Sequence, residues 1–163
     1  QEVMSALNPR GRAIVSGTYT GALMPVLVAI ECLKMMMEPG FYERLNTQAG
    51  RLYSGLAELF RRYRIPGHVR GIGARFALFF GVDDPNIDYK FRDIVQCYDV
   101  SLYKRFVELA LKQGLYFHFG GWALGGVATP EHCGITAAHS AQDIDLALEK
   151  FEKVFAQLQQ ELP

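Results

Sequence analysis

Residues 71–81 read GIGARFALFFG, an apolar run with glycines at both ends. Apolar and aromatic residues over this length, bounded by glycines, indicate a β-strand, which we predict over residues 74–80. Two further strands are predicted along the chain, at residues 115–119 and 134–138. Because helices are predicted before, between and after these strands, the pattern indicates an α+β domain. It would contain a small sheet of mostly antiparallel strands with helices on one face.

The predicted helices of this domain carry apolar residues at helical spacing and polar residues between them. The first covers residues 41–63, and the second covers residues 101–113 and stops at Gly114. The last begins after Ser140, which is followed three positions later by Asp143. That spacing is typical of a capping box, so we predict the start of the last helix at this serine.

An earlier segment, from Ala22 to Met37, is apolar on every side of a helix rather than along one stripe. Pro25 falls in the first turn, where a proline is tolerated. A helix without a polar face must be covered all round, and this one is too short to span a bilayer. We therefore expect it to lie buried between other elements.

The composition excludes several classes of protein. Half of the 163 residues are hydrophobic, and 17 Lys and Arg balance 17 Asp and Glu. A net charge of zero argues against nucleic acid as a partner, and no apolar run is long enough for a transmembrane helix. Three widely spaced cysteines favour a reduced, cytoplasmic protein. The chain begins with Gln1 rather than Met, so we expect a processed chain or a piece of a longer one.

Other patterns favour structural roles over chemistry. Cys133 and His139 would form a nucleophile and base only with a third, orienting group. The spacing of the four histidines fits neither a zinc finger nor a metalloprotease, so no metal site is predicted. The glycine-rich stretch at residues 120–126 lacks the Lys-Ser/Thr ending of a phosphate-binding loop, and we interpret it as a mobile loop.

The loop at residues 16–21, Ser-Gly-Thr-Tyr-Thr-Gly, directly precedes the apolar helix and is called the Thr18 loop below. Small residues and hydroxyls at a helix N-terminus allow an anion to approach backbone N–H groups. The pattern predicts either a phosphate site or an ordinary capping turn, and the spacing alone does not separate these two interpretations.

The Thr18 loop and residues 137–145, AAHSAQDID, occur in a fixed order with residues 2–4, 69–73 and 112–116. In this order the segments resemble the class III pyridoxal-phosphate-dependent aminotransferases. The Thr18 loop resembles the loop that precedes a helix of small residues in that family. Residues 137–145 resemble the end of its glutamate-1-semialdehyde 2,1-aminomutases, so the chain resembles a carboxyl-terminal fragment of such an enzyme.

This resemblance implies part of the fold-type-I aminotransferase architecture. Residues 1–38 would be a remnant of the large cofactor domain, with the phosphate loop and the apolar helix. Residues 39–163 would be the small carboxyl-terminal domain, with three to four mostly antiparallel strands. The intact enzyme would act on an amino acid or an amine with pyridoxal 5'-phosphate as cofactor.

The resemblance also implies site residues. Thr18 would bind the phosphate of the cofactor in a neighbouring subunit, which implies a homodimer, and Gly17 and Tyr19 would assist. No lysine precedes Thr18, and none of the six lysines matches the one that anchors the cofactor, so no catalytic residue is expected here. The chain alone would then be inactive. The alternative is a non-catalytic dimerisation module of the same fold, which uses the apolar helix.

Overall fold

The computed structural model describes residues 2–82, 90–118 and 129–162 of the chain. Within these ranges a short 3-10 helix, Val3–Ala6, comes first, and five α-helices and three β-strands follow. The helices are α1 (Leu23–Met36), α2 (Phe41–Arg62), α3 (Phe91–Cys97), α4 (Val100–Lys112) and α5 (Ala141–Glu161). The strands are β1 (Gly67–Ile72), β2 (Arg75–Phe80) and β3 (Cys133–Gly134). The α+β class predicted from the sequence is confirmed.

The chain divides into two compact units, Gln1–Phe41 and Tyr42–Pro163. The first unit contains the 3-10 helix, the Thr18 loop and α1. No residue of α1 is buried, and its first residue, Leu23, is 71 % exposed. The expectation that this helix is covered all round is therefore not met, because the short segments of the first unit are too small to enclose it. The assignment of residues 1–38 to a larger cofactor domain stays a prediction.

The second unit is built on a three-stranded antiparallel sheet in the order β1-β2-β3. In β1 and β2, Gly67 lies opposite Phe80, and in β2 and β3, Phe76 lies opposite Cys133. Strand β2 matches the prediction at residues 74–80 closely. Strand β1 was not recognised in the sequence, because its residues are half-buried or exposed and its apolar content is low.

Two predicted strands differ in the structure. Residues 115–118 are in no strand, and residue 119 lies outside the described residues. Strand β3 contains two residues rather than five, and the Ile135 N–H donates to the Ala74 carbonyl at 3.0 Å just beyond it. The glycine-rich stretch at residues 120–126, interpreted as a mobile loop, also lies outside the described residues.

The core of the second unit lies where β2 meets the three long helices. Phe80 of β2, Phe106 of α4 and Phe155 of α5 are fully buried. The ring centroids of Phe80 and Phe106 are 5.2 Å apart, and those of Phe60 and Phe155 are 4.9 Å apart. Such aromatic pairs dominate the energetics of a small core. The predicted apolar stripe of α2 is confirmed, since its buried residues are Ala49, Leu52, Leu56, Leu59 and Phe60.

The capping box of α5 is present as predicted. The Asp143 N–H donates to Ser140 Oγ at 3.2 Å, and the Ser140 N–H donates to Asp143 Oδ2 at 2.8 Å. Two N–H groups at the helix start are thereby satisfied, which fixes where α5 begins. Among the described residues, no helix is long and apolar enough to cross a membrane.

Candidate functional site

The Thr18 loop turns immediately before α1. The Thr20 N–H donates to the Gly17 carbonyl at 3.0 Å, and the Ala22 N–H donates to the Tyr19 carbonyl at 3.1 Å. Gly21 has a φ of +77°, a left-handed conformation that favours glycine. These two hydrogen bonds and the glycine form a tight turn, and α1 begins directly after it.

Within the Thr18 loop, Gly17 is the position where an added side chain would be crowded. A Cβ atom at Gly17 would lie 2.8 Å from Thr20 Oγ1, so a larger residue would displace the Thr20 side chain. Thr18 and Tyr19 are exposed, and Tyr19 is 79 % exposed. All three residues proposed from the sequence thus lie on one short exposed turn of the first unit.

The N-terminus of α1 has no capping side chain. The N-cap residue is Ala22, whose methyl side chain makes no capping hydrogen bond. Helix N-termini carry N–H groups without intrahelical partners and a partial positive charge, which together attract anions. The Ala22 N–H donates to the Tyr19 carbonyl and Pro25 has no N–H, so the Leu23 and Met24 N–H groups are the ones at this helix start that could meet an anion.

Pyridoxal phosphate has two parts that a protein must hold. Its phosphate end needs hydrogen-bond donors, and the Thr18 loop offers an exposed hydroxyl next to a helix start without a capping side chain. Its ring requires a lysine for covalent attachment. Lys34 lies on α1 and forms an ion pair with Glu31 at 2.7 Å. The other lysines lie at the start of α3 or on α4 and α5, and they are Lys90, Lys104, Lys112, Lys150 and Lys153. No lysine of the chain precedes Thr18.

A Cys133–His139 nucleophile pair is disfavoured by the structure. Burial raises the pKa of the Cys133 thiol to about 12, so almost none of it is thiolate at neutral pH. His139 Nδ1 accepts a hydrogen bond from the Thr136 N–H at 3.0 Å. The histidine therefore organises its own turn, and the thiol is not activated. In the described part of the chain, no three His, Cys, Asp or Glu residues are arranged to hold a metal ion.

One polar contact of the second unit was not foreseen from the sequence. The Tyr103 hydroxyl donates to the His118 carbonyl at 2.7 Å, which ties the segment after α4 to that helix. Burial raises the pKa of this tyrosine, so it remains a neutral donor. No sequence signal identifies such a contact, because the two partners are joined only once α4 has packed against the sheet.

Solved structures that resemble the chain include two transaminases and a protein that holds pyridoxal phosphate, although no family model matches the chain. An omega-transaminase from Sphaerobacter thermophilus has a TM-score of 0.72 and 20 % identity, over 96 % of this chain and 34 % of that one. The FumI protein of Sphingopyxis sp. MTA144, whose structure contains pyridoxal phosphate, has a TM-score of 0.67 and 22 % identity, over 91 % and 30 % of the two chains. A transaminase with pyridoxal phosphate bound has a TM-score of 0.69 and 17 % identity, over 97 % and 33 %.

These matches show the fold. Nearly the whole chain superposes on part of a pyridoxal-phosphate-dependent transaminase, and the chain spans about a third of the length of the solved structures it matches. The three-stranded antiparallel sheet with its helices therefore belongs to the aminotransferase fold.

Proposed function

We propose that this chain is the carboxyl-terminal part of a pyridoxal-phosphate-dependent aminotransferase or aminomutase. The observation that carries the proposal is the extent of the structural match. It covers 96 % of the chain at a TM-score of 0.72, so both units have counterparts in the transaminase fold. The sequence resemblance of residues 137–145 favours a glutamate-1-semialdehyde aminomutase within that class.

Within this proposal the Thr18 loop binds the phosphate end of the cofactor. Thr18 donates its hydroxyl to a phosphate oxygen, and the turn formed by Gly17 and Tyr19 brings backbone N–H groups and the start of α1 to the same oxygen atoms. When bound, pyridoxal phosphate supplies an electron sink for chemistry at the carbon that carries the amino group. The residues of this chain hold and orient that cofactor and take no part in proton transfer.

The proposal places the cofactor lysine outside residues 1–163. Each lysine of the chain lies after the Thr18 loop, at the start of α3 or on the helices α1, α4 and α5. We also propose that the intact enzyme is a homodimer in which the Thr18 loop serves the neighbouring subunit. A cytoplasmic location is proposed from the cysteine usage alone.

Reduction with borohydride in the presence of pyridoxal phosphate tests the position of the lysine. We expect the intact enzyme to acquire one phosphopyridoxyl group per subunit, and peptide mapping to place it outside residues 1–163. A stoichiometric adduct on one of the six lysines of this chain would contradict the proposal.

Substitution of Thr18 tests the phosphate site separately. Thr18→Val keeps the size of the side chain and removes the hydroxyl, so cofactor affinity in the intact enzyme should fall about tenfold, as for the loss of one hydrogen bond to a charged group. Thr18→Ser is the matched control and should retain most of the affinity. Equal affinity for the two variants, measured by fluorescence titration of the cofactor, would remove Thr18 from the site.

A second candidate function is supported by α1. Large apolar residues along this helix are between 38 % and 71 % exposed, and monomeric proteins rarely leave so large an apolar surface uncovered. The same fold would then act as a non-catalytic dimerisation module. Sedimentation of the chain tests this candidate, since a monomer that binds no hydrophobic dye would count against it.

A further inference from the structure

The C-terminal end of α1 concentrates the sulfur atoms of the chain. Three of the five methionines are consecutive, at residues 35–37, and Cys32 lies three residues before them. Cys32 is exposed, and Met35, Met36 and Met37 are 55 %, 38 % and 82 % exposed. Methionine in a helix usually fills gaps in a core, whereas these thioethers are open to the solvent. Neither candidate function uses their sulfur atoms.

Helix geometry places three of these side chains together. Cys32, Met35 and Met36 occupy positions i, i+3 and i+4 of α1, so they share one face, with about 5–6 Å between neighbouring Cβ atoms. Long side chains on a helix lean back toward its N-terminus, over the residues three and four positions earlier. The thioethers of Met35 and Met36 can therefore reach over the Cys32 thiol, and all three sulfur atoms can contact one bound ion.

The electrostatics of this helix end favour a cation. Helix α1 ends at Met36, and the C-terminus of a helix carries a partial negative charge. Lys34 is the basic residue of the last turn, and its ammonium group pairs with the Glu31 carboxylate at 2.7 Å. The positive charge nearest in sequence is thus balanced, so a monovalent cation meets no uncompensated charge of this turn.

The type of ligand atom determines which metal ion would bind. Thiolates and thioethers suit Cu(I), whereas Mg²⁺, Ca²⁺ and Mn²⁺ prefer oxygen, and Zn²⁺ is bound by thiolate, imidazole and carboxylate. A thioether carries no charge, so one thiolate with two thioethers matches the single charge of Cu(I). In the described part of the chain no three His, Cys, Asp or Glu residues form a metal cluster, and this arrangement differs because two of its ligands are methionines.

We propose that the C-terminal end of α1 binds one Cu(I) ion through Cys32 Sγ, Met35 Sδ and Met36 Sδ. Binding breaks the S–H bond of Cys32, the thiolate forms a bond to the copper, and the proton goes to the solvent. The copper stays Cu(I), so no oxidant or reductant is consumed. The site lies wholly in the first unit and does not depend on the role of the Thr18 loop.

Competition with ferrozine, a chromophoric chelator of Cu(I), tests the proposal on the whole chain in the absence of oxygen. The chain should withdraw one equivalent of Cu(I) from the chelator, and an excess of Zn²⁺ should not displace it. X-ray absorption at the copper edge should show sulfur neighbours. Failure to withdraw Cu(I), displacement of Cu(I) by Zn²⁺, or a first shell of nitrogen and oxygen would overturn the proposal.

Four variants locate the ion. Cys32→Ser removes the thiolate and should abolish competition with ferrozine. Cys97→Ser is its matched control, because Cys97 is also exposed but has no methionine within four residues. Met36→Leu should lower the Cu(I) affinity at least about tenfold, the smaller effect known for loss of a residue that only supports a metal ligand. Met24→Leu, the same change at the other end of α1, should leave the affinity unaltered.

Both leucine substitutions nearly conserve volume and helix propensity, so they should leave α1 folded. Equal affinity in Met36→Leu and Met24→Leu would show that the thioethers are not ligands. Equal loss in Cys32→Ser and Cys97→Ser would show that any exposed thiol takes the ion. Either outcome would refute the site.

Discussion

Helices α1 and α2 are both rich in apolar residues, yet one is exposed and the other forms the core. In α2 the apolar residues recur at helical spacing, and five of them are buried against the sheet and α5. In α1 they occur on every side, and none is buried. The two charged residues of α1, Glu31 and Lys34, form an ion pair with each other, with 2.7 Å between Lys34 Nζ and Glu31 Oε1.

The difference shows that the apolar pattern of a helix determines how much of its surface other elements must cover. A helix with one apolar stripe needs a single packed layer, which a unit of this size provides. A helix that is apolar all round needs cover on all sides, and the described residues do not provide it. The chain also spans about a third of the transaminases it resembles, so the exposed helix and the short match have a common explanation in the proposed function.

The largest expected effect is the loss of a ring from the core of the second unit. Phe106 is fully buried, and its ring centroid lies 5.2 Å from that of Phe80 and 5.1 Å from that of Phe117. Phe106→Ala should lower the free energy of unfolding by about 3–5 kcal/mol, measured by urea denaturation. Leu27→Ala on α1 is the control, and its cost should stay within about 0.5 kcal/mol. Similar losses for the two variants would break the contrast between the units.

The second-largest expected effect is a difference in the rate of cysteine alkylation between the two units. Cys32 on α1 is exposed, whereas burial raises the pKa of Cys133 to about 12. At pH 8 a thiol with that pKa is ionised to about one part in ten thousand, and only the thiolate is alkylated. With iodoacetamide, followed by mass spectrometry, Cys133 should react at least about a hundredfold more slowly than Cys32. Comparable rates would mean that the β3 region opens readily.

Much of the second unit was predictable, because local patterns and tertiary packing agree there. The apolar stripe of α2, the run at residues 74–80 and the capping box at Ser140 each indicate one structure, and each is found. Strand β1 and the two-residue β3 depend on pairing with β2, and pairing between distant residues leaves little trace in a sequence. Helix α3 was likewise not predicted, since its seven residues bury only Ile94.

The candidate site was predictable only in part. The turn of the Thr18 loop follows from its glycines and from the helix behind it. Its proposed role toward a phosphate rests on a resemblance, and the geometry adds an exposed hydroxyl and a helix start without a capping side chain. The raised pKa of the Cys133 thiol could not be foreseen, because it is caused by burial, and burial is a property of the fold.

A smaller effect is expected at the start of α5. Ser140→Ala removes the hydroxyl that accepts from the Asp143 N–H, and loss of an N-cap of this kind costs about 1 kcal/mol. Thermal or urea unfolding at pH 7 measures this cost. Ser140→Thr, which keeps a hydroxyl, is the control and should recover most of it. An unchanged stability would mean that the cap contributes nothing to the unit.

The same cap has a pH dependence with a defined sign. Hydrogen bonds from Ser140 hold the pKa of Asp143 below its usual value of 3.8. Because the folded pKa is the lower one, this stabilisation is present above the usual value and is lost as the pH falls through the folded pKa. Unfolding measured from pH 7 down to pH 2 should therefore show the cost of Ser140→Ala shrinking in acid. A cost that grows as the pH falls would contradict this assignment.

The smallest expected effect on stability concerns α1 itself. Val28 is 58 % exposed, so Val28→Lys should change the free energy of unfolding by no more than about 0.5 kcal/mol. The same lysine interrupts the apolar surface, so the binding of a hydrophobic dye should fall, and any self-association seen by sedimentation should weaken. Glu43→Lys, an exposed charge change on α2, is the control and should leave dye binding unaltered. If Val28→Lys instead unfolded the chain as Phe106→Ala does, α1 would be covered in solution, and the contrast between the two helices would be lost.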